Sequence, residues 1–226
     1  MSELIPSFRD SLFDPRVTDS VLDLVEIGVD AVLVDGVLKE IPIVKTLVGL
    51  GKFAYSVRER NFLKRTLEFI EQLNQGNVSD EQKERYLCGL AENTKNASAE
   101  LDRVMIILDK TIDKSKARIL ANFFIAYVKG AISWSKFCEL SEALDRLFVS
   151  DIQMLNRIAN LEHNMLFEEG GYSADRLVSV GLVVNPATRI QIGFGSTPPF
   201  GKFPVSLTEF GRTFLQHAGI DNLILD

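Results

Sequence analysis

The sequence predicts a mainly α protein: a helical bundle over residues 1–149, then a small α+β module over residues 150–226. Three observations predict it. Apolar residues recur at helical spacing in successive blocks up to Phe148, joined by short polar connections, as expected of packed helices. Strand-like character appears only after Gly181, most clearly in the alternation of Arg189-Ile190-Gln191-Ile192-Gly193-Phe194. The chain has 226 residues, 46% hydrophobic and 25% charged, which is enough to bury a core in one large domain or two small ones.

Residues 1 to 16 read as a mixed leader ending at Asp14-Pro15. A helix then opens near Thr18 or Asp19, whose side chains can cap its free N–H groups. Its carboxylates Asp19, Asp23, Glu26 and Asp30 form one narrow stripe, and apolar residues fill nearly everything else, as in a helix buried on most sides. Asp35-Gly36 marks a turn and Ile41-Pro42 a restart. The stretch from Ile43 to Tyr55 is apolar except for Lys45 and Lys52, which share a face. In an antiparallel hairpin Asp30 meets Lys45 and Asp23 meets Lys52.

Phe62 to Leu73 is helical and ends at Gln75-Gly76-Asn77. Ser79-Asp80-Glu81-Gln82 is a capping box for a helix running to about Glu92. Asn96 is expected to cap the next helix, with Leu101, Val104, Met105, Leu108 and Ile112 as its buried stripe. Asp113 begins a further helix, closed by Gly130. Its Ile119, Leu120, Phe123 and Phe124 should lie inside the bundle near Trp134 and Leu144. Ser133 caps Trp134 to Phe148. The short connections predict antiparallel neighbours.

From Ser150 to Gly219 the order is a helix (Asp151 to Ala159), a linker, a short helix (Ala174 to Val180), two β-type runs and a closing helix capped by Ser206 or Thr208. Phe203-Pro204-Val205 reads as a short return strand at a sheet edge, because proline cannot donate to a ladder. Leu177-Val178-Ser179-Val180-Gly181-Leu182-Val183, then Ser206-Leu207-Thr208-Glu209-Phe210-Gly211-Arg212-Thr213-Phe214, follow the order of a recognition-type helix, exit strand, hairpin and closing helix. In this the module resembles a winged helix. Leu177, Val180 and Leu182 are then expected to pack against Leu207, Phe210 and Phe214. Arg176 is expected to point outward, with Arg189 and Lys202 on the two arms of the hairpin. These three and Arg212 are the candidate contacts to nucleic acid or to a partner.

The charge balance weighs against DNA. The net charge is -6 and the pI about 5.1, whereas phosphate binding favours a basic surface. A DNA-reading helix presents several basic or amide side chains, and between Ser173 and Val184 there are only Arg176 and Ser179 to do so. A winged helix used for packing or protein docking is the favoured reading.

Catalytic and metal chemistry find little support. The two cysteines, Cys88 and Cys138, are far apart in sequence and sit at helical positions beside leucines, so both are expected as buried inert thiols in a reducing compartment. His163 and His217 lack neighbours at metal-ligand spacing and read as a partnered loop histidine and a surface helix-end histidine. Carboxylates at helical spacing mark solvated faces; Asp109 and Asp113 are spaced to share a cation as the less favoured alternative. There is no nucleotide fingerprint, nucleophile elbow or zinc-protease motif. The expectation is a non-enzyme without cofactor or metal. The first residues lack a signal peptide's basic start and apolar run, and no eighteen-residue window is free of charge, so the cytoplasm is the expected location.

One further surface has a functional alternative. Lys45, Lys52, Arg58, Arg60, Lys64 and Arg65 flank apolar, glycine-containing helices, a composition that can serve a membrane surface or a partner. The acidic stripe of residues 19–30 opposes anionic lipid, so a buried hairpin is favoured over a membrane-active effector.

Three pieces of the chain carry a family resemblance: Gly36-Val37-Leu38-Lys39-Glu40-Ile41 leading into a basic helix, Leu147-Phe148-Val149-Ser150-Asp151-Ile152-Gln153-Met154-Leu155, and Arg176 to Leu182 followed by Leu207 to Phe214. In these the chain resembles the bacterial abortive-infection protein alpha family. The resemblance implies a prokaryotic, non-enzymatic helical protein tied to phage defence. It carries over no catalytic residue. Phe148-Val149-Ser150-Asp151 departs from the proline-led start expected there. The combined expectation is an interaction protein acting through a protein partner or a second copy, with a DNA-binding regulator as the alternative.

Overall fold

A computed structural model of the protein describes residues 4–17, 38–49, 57–92, 94–160, 165–167, 171–184 and 203–220. The chain is mainly helical and forms two compact units, Met1–Ser141 and Glu142–Asp226.

The first unit opens with α1 (Leu4–Ser11), where the sequence suggested only a leader. Two apolar side chains one turn apart, Phe8 and Leu12, are fully buried. The Ser11 hydroxyl accepts the N–H of Ile43 at 2.9 Å and donates to the Ser7 carbonyl at 2.8 Å. This ties α1 to the start of α2 (Pro42–Gly49), a helix preceded by the 3-10 turn Leu38–Glu40. Lys45 is exposed and lies 3.5 Å from Glu40. Its expected partners Asp23 and Asp30 lie outside the described residues, as do Lys52 and the helix expected from Thr18 onward.

Four of the remaining helices form the rest of the bundle: α3 (Val57–Gln75), α4 (Asp80–Glu92), α5 (Thr94–Lys110) and α6 (Lys114–Val128). α7 (Trp134–Arg146) follows, and the division between the units falls within it, ahead of the boundary expected at residue 149. The local signals work where they are self-contained. Ser79 N–H donates to Gln82 Oε1 at 3.0 Å and Gln82 N–H returns to Ser79 Oγ at 3.3 Å, closing the capping box. Gly130 takes φ +73 to end α6, and Ser133 Oγ caps α7 through Lys136 N–H at 3.2 Å.

Three expectations need correction. Asn96 lies inside α5, which begins at Thr94, and so is not its cap. Ile112 lies past the end of α5 and is 75% exposed, outside the buried stripe. α7 stops at Arg146, so Phe148 is not its last residue; that ring is 62% exposed.

α3 and α6 run parallel rather than antiparallel. Asn61 donates to the Thr111 carbonyl at 3.0 Å, Gln72 to Asn122 Oδ1 at 3.0 Å, and Lys129 to the Gly76 carbonyl at 2.8 Å, so contacts rise together along both chains. Short connections alone therefore do not fix direction. Phe123, Phe124, Ile119 and Leu120 are fully buried as expected. Phe124 stands in a continuous aromatic chain: Phe69 at 5.5 Å, Tyr86 at 5.5 Å and edge-on, Phe137 at 5.8 Å. Phe8 extends it at 6.1 Å from Phe69, and Trp134 stacks on Phe137 at 4.9 Å.

The second unit contains α8 (Val149–Ala159), β1 (Met165–Phe167), α9 (Gly171–Ser179), β2 (Val183–Val184), β3 (Phe203–Leu207) and α10 (Glu209–Ala218). The sheet order is β1-β3-β2 with both pairings antiparallel. β1 falls in what the sequence suggested was a linker, so strand structure begins before Gly181. β3 is central, not an edge. Pro204 is nevertheless accommodated, because it pairs with Leu166 on one side while β2 reaches only Ser206 and Leu207. The run from Arg189 to Phe194, the loop to Gly201 and Lys202 lie outside the described residues.

Thr208 fastens this unit. Its hydroxyl donates to the Gly181 carbonyl at 2.7 Å, with the Leu182 carbonyl at 3.1 Å, and accepts Gly211 N–H at 2.9 Å as the N-cap of α10. Leu177, Leu182 and Phe214 are fully buried. Val180, Leu207 and Phe210 are half-buried. A Cβ added to Gly211 would overlap the Leu182 carbonyl and press on the Leu207 side chain, so glycine is required by close approach. Gly211→Ala is expected to cost about 1–3 kcal/mol through displacement of α10, read as a lower midpoint in urea unfolding. An unchanged midpoint would show that α10 moves aside freely.

Candidate functional site

The candidate site is the face of the second unit built around α9. It starts from an ion pair that the sequence did not indicate. Asp151, in the first turn of α8, is fully buried. Its Oδ2 accepts the Phe148 N–H at 2.8 Å and the Arg176 Nε–H at 2.8 Å, and its Oδ1 accepts Arg176 Nη2 at 2.6 Å. Arg176 Nη2 also donates to Ser173 Oγ at 3.2 Å, and the guanidinium carbon lies 4.7 Å over the Phe148 ring. Burial alone would raise the Asp151 carboxyl. The Arg176 and Phe148 hydrogen bonds outweigh it and hold the carboxyl below its ordinary value, while Asp151 raises Arg176.

Arg176 therefore does not project from α9 as a free cation. Its side chain keeps 33% exposure, but its hydrogen bonds to Asp151 and Ser173 stay within its own unit. What α9 turns outward is a stripe at spacing three, Tyr172 at 83% exposure, Asp175 and Val178, with exposed Ser179 beside it. Exposed Val184 follows on β2. Of the other candidates, Arg212 is exposed on α10 and reaches back to the Leu207 carbonyl at 3.3 Å. Arg189 and Lys202 lie outside the described residues, as does His163. The signal for the stripe was present in the spacing of Tyr172, Asp175 and Val178, hidden because the helix was expected to start at Ala174.

The basic group in the first unit is dispersed. Arg58 pairs with Asp109 across α3 and α5, so Asp109 is not available to share a cation with Asp113. Arg60 and Lys64 are half-buried on α3. Arg65 turns inward to Glu68 at 2.7 Å, both largely buried. Glu68 and Glu71 lie in the stripe of Leu67 and Ile70, and only the packing of α6 against α3 reveals that they are core rather than solvated. Burial raises the Glu68 carboxyl above its ordinary value despite Arg65. Glu71 takes the Gln75 amide at 2.9 Å, with Arg118 at 3.7 Å. A groove of about 380 Å³ beside it is lined by Phe13, Pro15, Val17, Asn74 and Lys83.

The reactive residue types differ from expectation in their exposure. Cys88 is exposed, not buried as expected, and Cys138 is half-buried. His217 is half-buried rather than on the surface, and desolvation lowers it. Tyr127 donates to Glu100 at 3.0 Å, and burial with that carboxylate pushes both Tyr127 and Tyr86 far above the usual phenol value, so both stay neutral. No group of three His, Cys, Asp or Glu among the described residues could hold a metal.

No protein-family model matches the chain, and neither the curated proteins nor the solved structures give a match.

Proposed function

We propose that this is a non-enzymatic interaction protein whose second unit is a winged-helix-like module used for protein docking. The support for the module is its order. α9 ends at Ser179 with Gly181 at φ +77 just beyond it, an antiparallel pair β2–β3 follows, a third strand flanks β3, and α10 is capped by Thr208. The observation that carries the docking role is the outward stripe of α9. It offers Tyr172, Asp175 and Val178 while Arg176 is engaged by Asp151. An aromatic ring beside apolar and polar neighbours suits a protein interface. A phosphate backbone requires cations. The second unit carries ten acidic and six basic residues, a net −4.

The test uses the full-length chain. Tyr172→Ala with Val178→Asp should keep the wild-type melt and lose a partner, or a second copy, that the wild type retains in a pull-down read by mass spectrometry. A sequence-specific, salt-dependent DNA shift removed by Arg212→Ala would overturn this reading and favour a regulator. The proposed link to phage defence, in a prokaryotic cytoplasm, rests on the three sequence pieces alone. No helix among the described residues is long and apolar enough to cross a membrane.

A further inference from the structure

One end of the first unit gathers features that the docking reading does not use. The start of α3, the end of α5 and the start of α6 meet there, joined by the Arg58–Asp109 pair and by Asn61 Nδ2 donating to the Thr111 carbonyl at 3.0 Å. Two β-branched side chains stand into solvent at this end, Val57 at 85% exposure and Ile112 at 75%. The two stretches that meet there carry Arg58, Arg60, Lys64, Lys110, Lys114 and Lys116. The acids in the same two stretches, residues 57–64 and 109–116, are Glu59, Asp109 and Asp113. Six cations against three acids make this end +3, in a chain whose net charge is −6, so the remainder carries −9.

We propose that this end of the bundle docks peripherally on the surface of an anionic phospholipid bilayer. The sign of the charge is reversed locally from that of the whole chain, which orients the molecule with this end toward anionic headgroups. The exposed valine and isoleucine decide between anionic surfaces. A nucleic acid would be met by the cations alone and would leave Val57 and Ile112 in water. A headgroup layer has an acyl boundary immediately beneath that takes up both. The chain lies on the bilayer and does not enter it. Arg65, paired inward with Glu68, is not part of the surface. The proposal keeps Arg58, Arg60 and Lys64 of the membrane-contact alternative and adds Lys110, Lys114 and Lys116, and it is independent of the α9 stripe.

The full-length protein should co-sediment with vesicles of phosphatidylcholine and phosphatidylglycerol, not with phosphatidylcholine alone. The bound fraction should fall as salt screens the headgroups. Replacing Lys64 and Lys110 by Ala should weaken partition about fivefold per cation. Val57→Glu with Ile112→Glu should abolish binding while leaving the circular dichroism melt unchanged, since both side chains are already in water. Tyr172→Ala with Val178→Asp should bind vesicles as the wild type does, which separates failure here from failure of the docking reading. Absence of wild-type binding to the anionic vesicles at low salt would overturn the proposal. Equal retention of wild type and the Val57/Ile112 variant, on vesicles and on heparin alike, would also overturn it and would mark a polyanion surface instead.

Discussion

Phe124→Ala is expected to lower the unfolding free energy of the first unit by about 3–5 kcal/mol. The ring is fully buried, with Phe69, Tyr86, Phe137 and Tyr127 between 5.5 and 6.1 Å away. Rings on four helices surround it, and planar side chains have few rotamers with which to fill the space left by its loss. Tilted and edge-on pairs add to the burial energy, so the loss should exceed that of an aliphatic core residue of similar volume. Trp134 is the chain's single tryptophan and stacks on Phe137, so its fluorescence reports this core directly. Urea unfolding followed by that signal should show a large drop in midpoint for Phe124→Ala and a smaller one for Phe124→Leu, which keeps most of the apolar volume. Equal midpoints for the wild type and Phe124→Ala would refute the packed aromatic chain.

Arg176→Ala is expected to destabilise the second unit, read as a lower midpoint in urea unfolding. The penalty comes less from losing attraction than from leaving Asp151, fully buried, without its counter-charge. Solvent moderates the penalty, because Arg176 retains 33% exposure. Lysine should not rescue it, since a point charge cannot reproduce the two parallel bonds from Nε and Nη2. The pH dependence follows from the sign of the shift. The Asp151 carboxyl is lower in the folded chain than in the unfolded one. Its stabilisation is therefore complete above the unfolded value of about 3.9 and is lost as the pH falls through the lower folded value. Amide exchange in α9 should accelerate in that acid range for the wild type, and at neutral pH for Arg176→Ala. Wild-type exchange rates in Arg176→Ala at neutral pH would mean that water satisfies the carboxylate.

Both predictions concern residues whose roles had different legibility. The burial of Phe123 and Phe124 follows from spacing, because a helix with apolar residues on one face must cover that face with something. Arg176 was legible only as a cation on a short helix. Its partner lies twenty-five positions away on another element, and no periodicity within α9 points to it. Asp151 was equally opaque. An acid in a first helical turn reads as a favourable charge at a solvated N-terminus, and nothing local distinguishes it from a buried acceptor of three hydrogen bonds. The outward stripe of Tyr172, Asp175 and Val178 was present in the spacing, but a three-residue error in the start of the helix concealed it.

The chain's own residues determined what depends on neighbours within a turn or two: the helical class, the capping box at Ser79 to Gln82, the stop at Gly130, the Thr208 cap and the apolar face of α6. Those are short-range choices of backbone dihedral and hydrogen bond, made by the residues that display them. Tertiary structure alone decided the parallel course of α3 and α6, the inclusion of α1 in the core, the central place of β3 despite Pro204, and the inward turn of Arg65 and Arg176. Each of these depends on which distant surface arrives to cover a face or accept a charge. A periodic pattern states that a face must be covered, and says nothing of what covers it.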